Sequence, residues 1–157
     1  MNIRIAKKKD AEIIFELIKE LASYEKAAQE VLCSVDDVEA SLFGADAKAF
    51  ALIAENDNTV YGYAVYFYNY STWLGKNGIY LEDVYVRPPY RNQGIGKALL
   101  KYVAKIAVNE NCSRFEWAVL DWNTPAIEFY ESLGAKAQDE WISYRLSGEK
   151  LKQFALS

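Results

Sequence analysis

The chain has 157 residues, 52% hydrophobic and 25% charged, with a formal net charge of −4, a size and balance that predict a single domain over residues 1–157 with one sizeable core. It has no histidine and only two cysteines, Cys33 and Cys112, without C-x-x-C spacing, which excludes Ser-His-Asp and Cys-His catalysis, any imidazole base and a structural zinc site. No stretch approaches the ~18–20 apolar residues of a membrane span and the N-terminus lacks a signal-peptide pattern, so the expectation is a cytoplasmic protein without metal or membrane contact, its two thiols buried and a bridge between them left open.

In chain order, residues 3–6 read as a short strand, and Asp10 opens a helix whose apolar positions Ile13, Ile14, Leu17, Ile18 and Leu21 share one stripe. Ser34, followed by Asp36 and Asp37, caps a second helix that carries Val38 and Leu42 and stops near Gly44. Residues 50–54 and 60–68 are predicted strands, joined by the turn signal Asn56-Asp57-Asn58. The second of them, from Tyr61 to Tyr68, is apolar or aromatic on both faces, as a central strand should be. A loop over 71–77 leads to a strand at 79–86, which Pro88 and Pro89 terminate because proline cannot donate to a ladder. Residues 94–109 make an amphipathic helix with Ile95, Ala98, Leu99, Tyr102, Val103, Ile106 and Ala107 on one face. A strand at 114–120, a short helix capped by Asn123 and stopped by Gly134, and a last strand at 138–146 complete the chain. So many consecutive strands do not suit a doubly wound parallel sheet. They predict an α/β (α+β) architecture, a mixed and mostly antiparallel sheet flanked by helices.

The segment from Leu81 to Lys97 runs from strand through tight loop to helix N-terminus, which is the geometry of an anion site. Gly94 and Gly96 let backbone approach a ligand, and the first-turn N–H groups, the helix dipole and Arg91 favour phosphate oxygens. A Walker loop would need glycine where Arg91 stands and serine or threonine in place of Ala98, and a Rossmann fingerprint would need glycine or alanine in place of Leu99. Five of the 18 basic residues lie between Arg87 and Lys105 with no acid among them, so the remainder carries 13 basic against 22 acidic residues. That distribution suits one local anion and a cationic partner elsewhere, and argues against nucleic acid.

Leu81-Glu82-Asp83, the Arg91-x-x-Gly94-x-Gly96 loop and Asn123-Thr124-Pro125-Ala126 through Tyr130 to Leu133-Gly134-Ala135 together resemble the GNAT superfamily of N-acetyltransferases. Ile18-Lys19-Glu20-Leu21-Ala22 and Tyr24-Glu25 look like its diamine branch, the spermidine/spermine and thialysine acetyltransferases. The resemblance implies a sheet of six to seven strands splayed between the fourth and fifth. It implies an acetyl-CoA site in which Val84, Tyr85 and Val86 offer strand backbone to the pantetheine and Arg91, Asn92, Gln93, Gly94, Ile95, Gly96 and Lys97 hold the pyrophosphate. Asn123, Thr124, Pro125, Ala126 and Tyr130 would contact the rest. It further implies direct transfer, in a ternary complex, to a small-molecule amine, and a homodimer.

By helical spacing alone Tyr130, between Ile127 and Leu133, reads as core packing. The resemblance makes it the general acid for the departing thiolate, since a phenol of pKa about 10 can protonate a thiolate whose acid has pKa about 8 to 9. Glu82 and Asp83 point to opposite faces of a regular strand unless a bulge intervenes. Glu82 is the expected proton acceptor, on the ground that a carboxylate inside an apolar strand is costly. Tyr24, Glu25, Asp83, Asp139 and Glu140 are expected to add negative potential for a cationic amine. Tyr66, Tyr68, Tyr70 and Trp73 read as core or dimer interface. Glu116-Trp117-Ala118 differs from the stretch that helps bind polyamine in the eukaryotic enzymes, which leaves the particular amine open. A protein-lysine or N-terminal acetyltransferase and a non-catalytic acyl-CoA sensor are the competing readings.

Overall fold

Asp57 and Asn58, with φ of 45° and 64°, both occupy the left-handed region that the tightest hairpin turns require. They fold strand β2 (Ala49–Asn56) back onto β3 (Thr59–Ser71) in antiparallel register. A second hairpin pairs β3 with β4 (Lys76–Val86), β1 (Asn2–Ile5) adds antiparallel to β2, and β5 (Phe115–Trp117) adds parallel to β4. The sheet order is therefore β1-β2-β3-β4-β5. The computed structural model describes all 157 residues, in two compact units of residues 1–118 and 119–157. The first holds the sheet with helices α1 (Ala11–Tyr24), α2 (Val35–Phe43) and α3 (Ile95–Asn109); the second holds α4 (Thr124–Ser132) and α5 (Gly148–Leu156). No helix is long and apolar enough to cross a membrane.

The core follows the predicted periodicities. Ile14, Leu17 and Leu21 of α1 and Val38 of α2 are buried in one cluster with Ala51 and Ile53 of β2, Tyr63 and Val65 of β3 and Tyr85 of β4. The intervening strand residues Leu52 and Ala64 alternate to the other face, and α3 packs on β3 and β4 with Leu99 and Val103 fully buried. A side-chain carbon on Gly62 would lie 2.2 Å from the Tyr85 carbonyl oxygen, so β3 and β4 close to this spacing only with glycine there.

The structure departs from expectation at five points. The sheet has five strands, not six to seven. The strand expected at 114–120 is limited to Phe115–Trp117. Residues 138–146, whose Ile142, Tyr144 and Leu146 alternate like a strand, adopt no strand and expose those side chains, because alternation is a preference that only a pairing partner converts into a strand. Helix α5 was not anticipated, and Cys33 is an exposed free thiol rather than a buried one, while Cys112 is half-buried and also free.

One ion network ties β1 to the start of α1. Arg4 donates to Asp10 at 2.7 and 3.0 Å and to Glu55 at 2.8 and 3.1 Å, while the Lys7 backbone N–H donates to Asp10 at 2.7 Å. Burial alone would push the Asp10 carboxyl up, but the Arg4 guanidinium and the Lys7 N–H outweigh it and hold the group below the ordinary 3.8. A depressed folded-state value means that the contribution is present above about pH 4 and is lost as pH falls through the lower folded value. Asp10→Asn should therefore cost about 2 kcal/mol in urea unfolding at neutral pH. The difference from the parent should shrink in acid; a constant difference down to the lowest measurable pH would show that the charge is not the stabilising element.

Candidate active site

The parallel pairing of β4 with β5 stops at Leu81–Trp117, whereas β3 accompanies β4 to its end. Asp83, Val84, Tyr85 and Val86 therefore have a strand partner on one edge only. Beyond Val86 the chain is fastened from three sides. The Arg87 N–H donates to the Tyr61 carbonyl at 2.8 Å, its guanidinium donates to Glu20 at 3.0 Å, and the Tyr90 ring lies 4.2 Å from that of Tyr61. Glu20, Ser23, Tyr85, Arg87, Pro88 and Pro89 line an open recess beside this turn.

The following loop has the anion-site geometry. Asn92 and Gly94 take positive φ, 61° and 80°, and Gly94 is the N-cap of α3 with no side chain capping the first turn. The N–H groups of Ile95, Gly96 and Lys97 belong to that turn, where an α-helix leaves its donors without intrahelical acceptors. A side-chain carbon at Gly96 would meet only the Val86 side chain, at an ordinary 3.8 Å, so the protein's own packing does not demand glycine there. The Arg91 Nε donates to the Val86 carbonyl at 2.7 Å, and its guanidinium lies 5.0 Å from the Tyr24 ring centre and 5.4 Å from that of Tyr85. Asn92, Gln93 and Lys97 are exposed around it. These residues fit a diphosphate: backbone donors at a helix start, a positioned guanidinium and no acid in the loop.

Next to this edge the sheet carries acids. Opposite Val65 and Tyr66 of β3 stand Asp83 and Leu81 of β4, so Glu82 is the extra residue of a β-bulge. The bulge breaks strict alternation between the two acids. Glu82 is exposed, whereas Asp83 is half-buried and accepts a 2.6 Å hydrogen bond from the hydroxyl of Tyr63, which is fully buried. The burial cost expected of Glu82 therefore falls on Asp83. Glu25, at the C-cap of α1, is half-buried, and its carboxyl is pushed up by burial and then by the charges of Asp83 and Glu82. Burial pushes the Asp83 carboxyl up and the Tyr63 hydrogen bond opposes it. Tyr80 is pushed up by burial and then by Glu82 and Glu116, while Glu116 accepts from the Asn69 side chain at 3.3 Å. Two carboxylates close enough to raise a third suit a cation.

The second unit carries the other expected residues. Asn123 caps α4, its side chain accepting from the Ala126 N–H at 3.4 Å, and Thr124 and Pro125 open the helix as anticipated. Tyr130 is half-buried on α4, with its ring 5.7 Å from that of Phe129; α4 has no fully buried residue. Asp139 and Glu140 lie exposed in a turn. The structure thus assembles Tyr24, Glu25 and residues 82–97 in the first unit and describes Asn123 to Ala126, Tyr130, Asp139 and Glu140 in the second. Sequence reading missed Tyr63. Its signal, a tyrosine inside an apolar strand, acquires meaning only once the register sets it diagonally across from Asp83.

Residues 13–135 match the acetyltransferase (GNAT) family. The chain is 42% identical over 164 residues to a thialysine N-epsilon-acetyltransferase of Sus scrofa, covering 98% of this chain and 96% of that one. It is 48% identical over 97 residues to the L-ornithine N5-acetyltransferase NATA1 of Arabidopsis thaliana, covering 62% of this chain and 42% of that protein. An integron cassette protein from the mobile metagenome of V. cholerae superposes with a TM-score of 0.82 at 28% identity, covering 99% and 98% of the two chains. These relatives bear out the branch that the motifs resemble. GNAT enzymes draw their acetyl group from acetyl-CoA, and the chain belongs to this family of acetyltransferases.

Proposed function

We propose that the enzyme transfers the acetyl group of acetyl-CoA to a primary amine of a small cationic acceptor, a diamine, a polyamine or a thialysine-like amino acid. The observation that carries this reading is the placement of Glu25, Glu82 and Asp83 together, beside the edge of β4 that has no strand partner. Val84, Tyr85 and Val86 present backbone along that edge for the pantetheine, and the loop from Arg91 to Lys97 takes the pyrophosphate. Asn123, Thr124, Pro125 and Ala126 take further parts of the cosubstrate. The domain is the whole of residues 1–157, a reading supported by a family match and full-length relatives that span both units.

An ammonium must lose a proton before it can attack an acyl carbon. Glu82, exposed on the bulge and flanked by acids, is placed to accept it, directly or through water. Asp83 and Glu25 supply negative potential, to which Tyr24, Asp139 and Glu140 add in this reading. Tyr130 protonates the departing thiolate. In this reading transfer is direct, in a ternary complex, as the family resemblance implies. The reading extends to a cytoplasmic homodimer that binds neither nucleic acid nor membrane, and the exposed Tyr70, Trp73 and Leu74 around the β3–β4 turn offer apolar area to a second copy.

Thiol release from acetyl-CoA over a panel of amines tests the acceptor. Putrescine should be preferred over butylamine, and the preference should weaken as salt screens the acids; equal turnover of both, insensitive to salt, would remove the electrostatic basis. Gly96→Glu tests the anion site. A carboxylate in the first turn of α3 favours the helix dipole yet occupies phosphate space, so the melting temperature of the free protein should hold or rise while the increase produced by saturating CoA disappears. An undiminished CoA-induced increase would refute the assignment. Tyr130→Phe keeps the ring and should leave CoA affinity and melting temperature intact while lowering kcat by about 10²-fold, the scale of positioned acid catalysis; reduced stability at unchanged kcat would make Tyr130 a packing residue.

A further inference from the structure

Tyr63 stands in the middle of β3 with none of its surface exposed, packed in the cluster that holds Leu17, Ile53 and Val65. Phenylalanine would fill that space without a polar atom. A hydroxyl in such a place is costly unless it is bonded, and its partner is the Asp83 carboxylate at 2.6 Å. The register explains the meeting: Asp83 lies opposite Val65, so Tyr63 is its diagonal neighbour on the same face of the sheet. One residue away, Glu82 leaves the ladder on the bulge and is exposed. Two adjacent acids thus differ in exposure, Asp83 half-buried and bonded from the core and Glu82 exposed.

We propose that Tyr63 is a positioning residue, its buried hydroxyl tethering Asp83 as the anchor for the distal ammonium of the acceptor while Glu82 serves the amine that reacts. This rests on the acceptor class proposed above and assigns its two ends. Asp83 is faced by Tyr63 from β3, by Glu25 from the end of α1 and by Glu82 from its own strand; the two glutamates add negative charge to the anchor rather than neutralising it. Burial disfavours the charged form of Asp83 and the Tyr63 donor favours it, so without the hydroxyl the carboxyl protonates at a higher pH.

Tyr63→Phe in the full chain tests the assignment, with putrescine and butylamine as acceptors and kcat and KM followed across pH. The KM for putrescine should rise about tenfold, the size expected for losing one hydrogen bond to a charged group, while kcat stays within about twofold. The acidic limb of the putrescine kcat/KM profile should move to higher pH, because an anchor that protonates earlier loses its cation earlier. Butylamine kinetics and CoA affinity should hold, while the melting temperature should fall modestly because the Asp83 carboxylate loses its buried donor. Asp83→Asn should reproduce the rise in putrescine KM, and the combined variant should add little to either change. An equal loss with both amines, or an unchanged putrescine KM with an unmoved profile, would overturn the proposal. A parent enzyme that itself fails to prefer putrescine would overturn the acceptor reading and this one with it; a parent preference retained in Tyr63→Phe would overturn this one alone.

Discussion

The antiparallel pairing of β3 with β4 is the constraint on which the first unit depends. Gly62 allows the strands to close, since any larger residue would press on the Tyr85 carbonyl. The extra residue at position 82 then shifts the register by one, which places the two neighbouring acids in unlike surroundings. The same pairing carries β4 past the end of β5, so that one strand presents acids at its middle and bare backbone along its last residues. On the proposed function, an amine and an acyl thioester meet there because a single strand serves both.

Charge is divided along the same line. Of the basic run that begins at Arg87, the first member is spent on structure, held between Glu16 and Glu20 of α1. Arg91 is the first whose guanidinium stands at the helix start, steadied by the Val86 carbonyl and the Tyr24 and Tyr85 rings. Tyr24 and Glu25 are consecutive, one at the basic loop and the other with the acids. The end of α1 therefore adjoins both charge fields, and a shift of that helix would disturb them together.

How much of this was legible in the sequence depended on how local each cause is. Helix α3 and its glycine loop were readable because a 3.6-residue apolar period and two closely spaced glycines are properties of the segment itself. The caps at Ser34 and Asn123 and the Asp57-Asn58 turn were readable for the same reason. The bulge at Glu82 was not, because a register belongs to two strands at once. Tyr63 escaped with it, since a tyrosine in an aromatic-rich strand looks like packing until its diagonal neighbour is known to be an acid. The segment 138–146 failed in the opposite direction: its alternation was visible, but no neighbouring strand accepted it. Helix α5, with Leu151 and Phe154 three residues apart, carried a helical spacing too short to separate from a polar tail.

The one-sided edge from Asp83 to Val86 also bears on how the protein keeps from sticking to itself. Backbone donors and acceptors left without a strand neighbour can template a foreign strand, the beginning of aggregation. This edge is short, preceded by a bulge, flanked by two acids at its start and stopped by two prolines just beyond its end. Each of these discourages another chain from docking, while none obstructs a thin, flexible ligand that needs only a few backbone contacts. The geometry proposed to admit a cosubstrate thus doubles as a filter against polypeptide, and substitutions that flatten the bulge or replace the prolines would put solubility at risk.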